Sequence, residues 1–79
     1  MITAETIGAN IRRLRLERGE TQRQLAEFLD YGISTVANYE SGYRLPDLLT
    51  FLMIAFHYEA SLEDFIRDPE SPEERVHDS

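Results

Sequence analysis

The stretch TQRQLAEFLDYGISTVANYESG, residues 21–42, decides the fold. It opens on Thr21 and has Gln24 three residues later, the spacing of a capping box, in which each side chain satisfies a free backbone N–H at a helix start. Apolar residues then recur at helical spacing, namely Leu25, Ala26 and Leu29. Gly32 accepts backbone angles that residues with a Cβ resist, so it marks a turn, and Gly42 ends the helix that follows.

The second helix predicted in this stretch, from about residue 33 to residue 41, has two different faces. Its spacing turns Val36 and Tyr39 inward and leaves Ser34, Ala37 and Asn38 outward. Two short helices around such a turn form the helix-turn-helix unit, whose second helix can lie in the major groove of DNA. The pattern therefore predicts a recognition helix over this range.

The residues before this unit predict one long helix from Met1 to Arg18. Its core stripe recurs at i, i+4 and i+7 and comprises Ile7, Ile11 and Leu14. Gly8 lowers the stability of this helix, so we expect it where a neighbouring helix comes close.

A fourth helix is predicted from Leu48 to about Tyr58, with Asp47 as its cap. One face has the spacing of a core face and comprises Leu48, Phe51, Leu52, Ile54, Ala55 and Tyr58. A second apolar stripe beside it comprises Leu49, Met53 and Phe56. A helix that is apolar nearly all round is buried on both sides. The second stripe therefore indicates either a large central core helix or the interface of a homodimer, and we favour the dimer.

Ser61 can cap a short fifth helix from Leu62 to about Arg67, in which Leu62, Phe65 and Ile66 close the core. These helices make an all-α, five-helix domain over residues 1–67. Residues 68–79 are rich in Pro and acidic residues and predict a mobile acidic tail, which is either solvated or contacts a partner.

The totals limit the class of protein. The chain has 79 residues, enough for one domain, and no Cys, so neither a disulfide nor a thiolate metal site can stabilise it. Oligomerisation is the remaining common way to stabilise a domain of this size. The longest apolar run, residues 51–56, is too short to cross a bilayer, so we expect a cytoplasmic protein without a membrane partner.

The net charge of −7 is unevenly distributed. Residues 1–45 hold six Arg and six acidic residues, whereas residues 46–79 hold two Arg and nine acidic residues. The first half is therefore suited to face DNA, and the acidic second half should face away from it.

The sequence shows no catalytic constellation. His57 and His77 stand alone, without Cys or a pair of acids at metal-ligand spacing, and His57 is expected on the surface. Neither Ser34 nor Ser61 has a His placed to activate it. We therefore expect no enzyme, no metal site and no cofactor.

With the five helices in place, the sequence resembles the Cro/cI-type (Xre-like) helix-turn-helix domains of phage repressors. The resemblance covers about residues 6–66 and rests on Ile7-Gly8, Ile11-Arg12, Leu14-Arg15, Arg18-Gly19, Thr21-Gln22, Leu25-Ala26, Ser34-Thr35-Val36, Tyr39-Glu40, Gly42, Pro46, Leu52, Ala55 and Ser61-Leu62 to Phe65. It implies a compact five-helix domain that binds operator DNA, usually as a dimer.

The resemblance also implies roles for single residues. Residues matched to base reading are Ile33, Ser34 and Asn38, with Thr35 and Ala37 near the groove wall. Residues matched to phosphate contacts are Gln22, Tyr43 and Arg44. Arg15 and Glu40 match an ion pair that ties the first helix to the third. Three further arginines are either solvated or phosphate contacts, Arg12, Arg13 and Arg23, and we place Arg23 in the phosphate set.

Base readout by this set is sparse. The Asn38 amide can bond bidentately to adenine, whereas Ile33 can only touch a thymine methyl. Two functions of different classes follow. The first is a sequence-specific transcriptional regulator, a repressor by preference, that binds a two-fold operator in double-stranded DNA as a homodimer. The second is a protein-interaction module, such as an antitoxin or a regulator subunit, whose apolar fourth helix docks a protein partner.

Overall fold

The computed structural model describes residues 1–68, in which all regular structure is helical. Five helices follow one another: α1 (Ala4–Glu17), α2 (Gln22–Leu29), α3 (Ile33–Ser41), α4 (Leu48–Tyr58) and α5 (Leu62–Ile66). The predicted all-α fold, with the helix-turn-helix unit at α2 and α3, is confirmed. No described helix is long and apolar enough to span a membrane. The predicted tail lies outside the described residues except for Asp68.

Local side-chain caps begin α2 and α4 at the predicted residues. Thr21 Oγ1 accepts a hydrogen bond from the Gln24 N–H at 3.1 Å, and Gln24 Oε1 accepts one from the Thr21 N–H at 2.8 Å. Asp47 caps α4 by accepting the Thr50 N–H at 2.8 Å. The capping box and the Asp47 cap are therefore confirmed.

The first helix differs from the prediction at its start and fits the prediction in its interior. It begins at Ala4 rather than Met1, because the side chain of Thr3 accepts a backbone N–H of the first turn. Inside it, a Cβ at Gly8 would lie 2.2 Å from the carbonyl oxygen of Tyr39. Only glycine lets α1 and α3 approach this closely, so the expected close approach is confirmed.

The core lies between α1, α2 and α3 and is completed by one row of α4 and by Phe65 of α5. Its buried apolar residues are Ile11, Leu14, Leu25, Ala26, Leu29, Val36, Tyr39, Ile54, Tyr58 and Phe65. The inward residues predicted for α1, α2 and α3 belong to this set, with Ile7 packed against it as a partly buried neighbour.

The core face predicted for α4 is wrong in part. Leu48 and Leu52 are 74% and 51% exposed. The buried row of α4 comprises Thr50, Ile54 and Tyr58 instead. On α5, Leu62 and Ile66 are exposed as well, so Phe65 alone closes the core from that helix. Helical spacing defines the angle between side chains, but the width of the buried stripe depends on which neighbours cover the helix.

A buried amide that the sequence analysis did not single out holds α5 in place. The Nδ2 of Asn10 donates to the carbonyl oxygens of Phe65 at 2.9 Å and Arg67 at 2.7 Å. Its Oδ1 accepts from Arg13 Nε at 3.3 Å. No local pattern signals this role, because the carbonyl partners lie 55 and 57 residues away.

Candidate nucleic-acid interface

The outer face of α3 is small, uncharged and open. Ile33 and Ser34 are exposed, and the other three base-reading candidates, Thr35, Ala37 and Asn38, are half-buried. Successive residues of an α-helix are rotated by about 100°, which places Ile33, Ser34, Ala37 and Asn38 on one side of α3 and Thr35 at the edge of that side. The structure therefore brings the predicted base-reading residues together on one face of one helix.

The Asn38 amide is available for a ligand. Within residues 1–68 no hydrogen bond engages the side chain of Asn38, whereas its backbone carbonyl accepts from the Arg44 N–H and the Ser41 hydroxyl, both at 3.2 Å. The first of these bonds also holds the loop after α3 against the helix. The amide can thus offer a donor and an acceptor to a base edge without breaking a bond inside the protein.

The one acidic residue of α3, Glu40, is paired with an arginine of α1 on the buried side of the helix. Arg15 Nε lies 2.6 Å from Glu40 Oε2, and Arg15 Nη2 lies 3.1 Å from Glu40 Oε1. Both residues are buried, and the hydrogen bond to Glu40 raises the pKa of Arg15 above its ordinary value. Because the guanidinium balances the carboxylate, α3 turns no uncompensated negative charge toward a polyanion.

Gln22, at the first position of α2, joins this ion pair. Its Nε2 donates to Glu40 Oε1 at 3.1 Å. The guanidinium of Arg15 also donates through Nη1 to the carbonyl oxygen of Glu20 at 2.6 Å. These bonds tie α1, the start of α2 and the end of α3 together, so the orientation of α3 is set by directional contacts.

The arginines and the tyrosine that the sequence analysis considered for phosphate contacts differ in their exposure and in their bonds within the protein. Arg23, Arg44 and Tyr43 are exposed, as phosphate contacts require. Arg13 is half-buried, and it donates to Glu17 Oε2 at 3.0 Å and to the Asp64 carbonyl oxygen at 2.8 Å. These bonds give Arg13 a role inside the fold, and a phosphate contact of this residue stays a prediction.

His57 is half-buried and bonded within the fold, whereas the sequence predicted a surface residue. Its Nε2 lies 2.7 Å from Glu20 Oε2, and its ring stacks on Phe28 with a centroid distance of 4.1 Å. The Tyr58 hydroxyl donates to the other oxygen of Glu20 at 2.5 Å. Burial, and then this bond, raise the pKa of Tyr58. Sequence analysis missed Glu20, since its partners lie 37 and 38 residues away.

Metal ligands do not cluster in the described part of the chain. No group of three or more His, Asp or Glu side chains among residues 1–68 is placed to hold a metal ion.

A continuous stretch of exposed apolar side chains follows the outer side of α4. Leu49, Met53 and Phe56 are exposed, and Phe56 is 84% exposed. Further exposed leucines extend the stripe, so that this apolar α4 surface comprises Leu45, Leu48, Leu49, Leu52, Met53 and Phe56. Apart from His57, α4 has no ionisable side chain other than the buried Tyr58. Exposed apolar side chains in such number are typical of an interaction surface.

Known proteins share this fold and sequence pattern. The chain is 34% identical over 58 residues to the HTH-type transcriptional regulator ImmR of Bacillus subtilis (strain 168), an alignment that covers 73% of the chain and 46% of that relative. The chain thus spans about half the length of this curated relative.

Two solved structures are similar to most of this chain. The clp gene regulator ClgR from Corynebacterium glutamicum matches with a TM-score of 0.72 and 26% identity, over 78% of this chain and 66% of that one. The restriction-modification controller protein C.AhdI from Aeromonas hydrophila matches with a TM-score of 0.70 and 26% identity, over 78% of this chain and 94% of that one.

The sequence pattern of the family described as helix-turn-helix matches residues 11–65, which span the second half of α1, all of α2, α3 and α4, and α5 up to its last residue. The caps, the close α1–α3 contact and the buried Arg15–Glu40 pair lie within or beside that range. This chain therefore belongs to the helix-turn-helix family, in its Cro/cI-type (Xre-like) branch.

Proposed function

We propose that this chain is a sequence-specific DNA-binding transcriptional regulator whose DNA-binding domain is residues 1–67. The observation that carries the proposal is the open outer face of α3, which has no charged side chain. The single acidic residue of the helix, Glu40, is buried and paired with Arg15. ImmR is named a transcriptional regulator, ClgR a gene regulator and C.AhdI a controller protein, and the proposal extends that class of function to this chain.

The proposed division of labour follows side-chain chemistry. Residues assigned to base reading are Ile33, Ser34, Thr35, Ala37 and Asn38. Residues assigned to phosphate are Gln22, Arg23, Tyr43 and Arg44. Asn38 offers the bidentate amide that suits adenine, and the two arginines provide charge that positions the domain without reading sequence.

The proposed active form is a homodimer joined through Leu49, Met53 and Phe56, with the remaining residues of the apolar α4 surface around them. The helix α4 has no acidic or basic side chain except His57, so two copies that meet there bring no carboxylates of α4 into contact, although each chain has a net charge of −7. A two-fold dimer presents two copies of α3 to successive major grooves, about 34 Å apart. Repression needs only occupancy of the operator, which such a dimer supplies by itself.

A mobility-shift titration against genomic fragments tests DNA binding. We expect retardation of a subset of fragments at low salt and micromolar protein, with affinity that falls as salt rises because phosphate contacts release counterions. The double variant Arg23→Ala/Arg44→Ala should lose retardation while keeping its helical circular dichroism, and Glu27→Gln, which removes an exposed charge from α2, should retain it. No retarded fragment with the wild-type chain contradicts the proposal.

A second function is favoured by one observation, the extent of the apolar α4 surface. It is broader than the predicted three-residue stripe, because Leu48 and Leu52 are exposed too. Such a surface also suits a protein-interaction module that docks a foreign partner. Sedimentation velocity separates the two functions, since a dimer supports the regulator and a monomer that binds no DNA supports the module.

A further inference from the structure

The helix α4 contacts the helix-turn-helix unit through one buried row of side chains and, beside it, through His57, whose ring stacks on Phe28 of α2 and whose Nε2 lies 2.7 Å from Glu20 Oε2. The row comprises Thr50, Ile54 and Tyr58, which follow at i, i+4 and i+8 and are 3%, 0% and 5% exposed. The middle residue is aliphatic, but the two outer residues each end in a hydroxyl group. The row itself therefore combines one apolar contact with a polar contact at either end.

Both hydroxyl groups bond to residues that flank α2. The Thr50 Oγ1 lies 3.0 Å from the Tyr31 hydroxyl oxygen, within hydrogen-bond distance. The Tyr58 hydroxyl donates to Glu20 Oε1 at 2.5 Å. Glu20 directly precedes the cap of α2, and Tyr31 follows its C-cap. The helix α4 is thus bonded at its first turn to one end of α2 and at its last turn to the other.

Two directional bonds at the ends of a row constrain a helix more than apolar packing does. A hydrogen bond weakens steeply when its angle or distance changes, whereas apolar burial is non-directional. Bonds at Thr50 and Tyr58 therefore limit both the rotation of α4 about its axis and its shift along it. The exposed apolar side chains point away from this row, so the same two bonds set the direction in which the apolar α4 surface faces relative to α3.

We propose that the Tyr31–Thr50 and Glu20–Tyr58 hydrogen bonds are positioning contacts that determine which spacing of DNA half-sites the dimer accepts. This inference rests on the proposed function, a dimer formed through the apolar α4 surface. In a two-fold dimer any change in the angle between α4 and α3 occurs in both copies, so its effect on the distance between the two recognition helices is doubled. Glu20, Tyr31, Thr50 and Tyr58 then act on DNA selection without touching DNA.

Spacing discrimination tests the inference directly. A two-fold site is selected by the wild-type chain from a random duplex library, and duplexes with one base pair inserted or removed at its centre are prepared. The measured quantity is the ratio of affinities for the selected and the altered spacing. In the double variant Tyr31→Phe/Tyr58→Phe we expect this ratio to fall by about fivefold, the equilibrium factor of one typical hydrogen bond. Affinity for an isolated half-site and the dimer dissociation constant should stay within about twofold of wild type, a tolerance set by the smallest net worth of one hydrogen bond.

Matched variants separate positioning from stability. Thr50→Val removes the Tyr31–Thr50 bond from its other side, so it should lower the ratio as Tyr31→Phe does and add nothing to that variant. Ile11→Val deletes a core methylene of α1 and leaves the Tyr31–Thr50 and Glu20–Tyr58 hydrogen bonds in place, so it should lower stability and leave the ratio unchanged. If the double Phe variant loses its helical circular dichroism, Thr50→Val and the single Tyr58→Phe provide the same test.

The outcomes are distinguishable. A wild-type chain that selects no site, or that stays monomeric, overturns the proposed function and this inference with it. A selected site whose spacing ratio is the same in wild type and in the hydroxyl-deleted variants overturns this inference alone, as does an equal fall in Ile11→Val.

Discussion

Arg15 and Glu40 meet across the contact between α1 and α3 in a two-bond fork, Nε to Oε2 at 2.6 Å and Nη2 to Oε1 at 3.1 Å. Arg15 is 6% exposed and Glu40 is 8% exposed, so the pair is nearly removed from water. Gln22 donates to the same carboxylate. The pair therefore connects the helix that supports the domain to the helix that we propose reads DNA.

Glu40→Ala should lower the free energy of unfolding by about 3–5 kcal/mol, because it leaves the Arg15 guanidinium buried without its counter-charge. Urea unfolding followed by circular dichroism measures the effect. The exposed Glu27→Ala on α2 is the control and should change little. An apolar replacement of both partners, Arg15→Met/Glu40→Leu, should be less destabilised than Glu40→Ala. An unchanged melting temperature in Glu40→Ala would sink the assignment of this pair as structural.

Gly8→Ala should destabilise the fold although alanine favours helices. Helix propensity alone predicts a gain of about 0.5–1 kcal/mol. The added methyl carbon would lie 2.2 Å from the Tyr39 carbonyl oxygen and 2.7 Å from that of Glu40, so α1 and α3 must separate. Overpacking of this kind costs about 1–3 kcal/mol. The two effects have opposite signs, so the direction in which the urea midpoint moves distinguishes them. A higher urea midpoint in Gly8→Ala contradicts the close packing.

Stability should fall as the pH rises above about 10, the ordinary pKa of tyrosine. Burial and the bond to Glu20 raise the pKa of Tyr58, so the unfolded chain releases this proton at a pH at which the folded chain still holds it. Below that pH Tyr58 is protonated in both states, and its contribution is fully present. One proton that the folded chain still holds and the unfolded chain has released lowers the free energy of unfolding by up to about 1.4 kcal/mol per pH unit. The chain has no Lys, so no lysine titrates in the same range.

Two variants test this loss of stability at alkaline pH. Tyr58→Phe removes the hydroxyl group in question, and Tyr43→Phe is the control. Tyr58→Phe should make stability less dependent on pH between about 10 and 12, the range just above the ordinary tyrosine pKa. Some dependence should remain, because burial also raises the pKa of Tyr39. Tyr43→Phe removes a hydroxyl from an exposed ring and should retain the wild-type slope. Equal slopes in Tyr58→Phe and wild type would contradict the role given to Tyr58.

Phe56→Glu should convert the proposed dimer to a monomer. The substitution places two carboxylates in a two-fold interface, and the loss of a central aromatic contact costs at least about 2 kcal/mol, or about 30-fold in the dissociation constant. Sedimentation equilibrium measures it. Leu16→Glu changes an exposed leucine on α1, outside the apolar α4 surface, and is the control. Dimerisation that survives Phe56→Glu would place the interface elsewhere.

Asn38→Ala and Arg44→Ala should affect DNA binding in different ways. The first should lose about 1–3 kcal/mol of discrimination at one base pair, because it removes an amide that can bond to a base edge. The second should weaken binding to all sequences and make the dependence of log affinity on log salt shallower by about 1. Salt titrations with the selected site and with single-base variants measure both. An equal loss on every sequence in Asn38→Ala would remove this residue from the reading set.

The sequence predicted the helices well because their limits depend on local contacts. The predicted capping bonds of Thr21 and Asp47 reach a backbone N–H only three residues away. Asp30 and Gly42 take left-handed backbone at the ends of α2 and α3, with φ of 61° and 83°. The same local spacing identified the outer face of α3. The DNA contacts assigned to that face stay a prediction, since they depend on a partner molecule.

The sequence by itself determined five helices, their order and the inward faces of the first three, because the bonds that begin and end a helix join residues close in the chain. Only the tertiary structure decided that α4 buries Thr50 and exposes Leu48, and that Glu20 binds His57 and Tyr58. The reason is physical. Burial and long-range hydrogen bonds depend on which surfaces the other helices cover, and no residue's neighbours in sequence specify that.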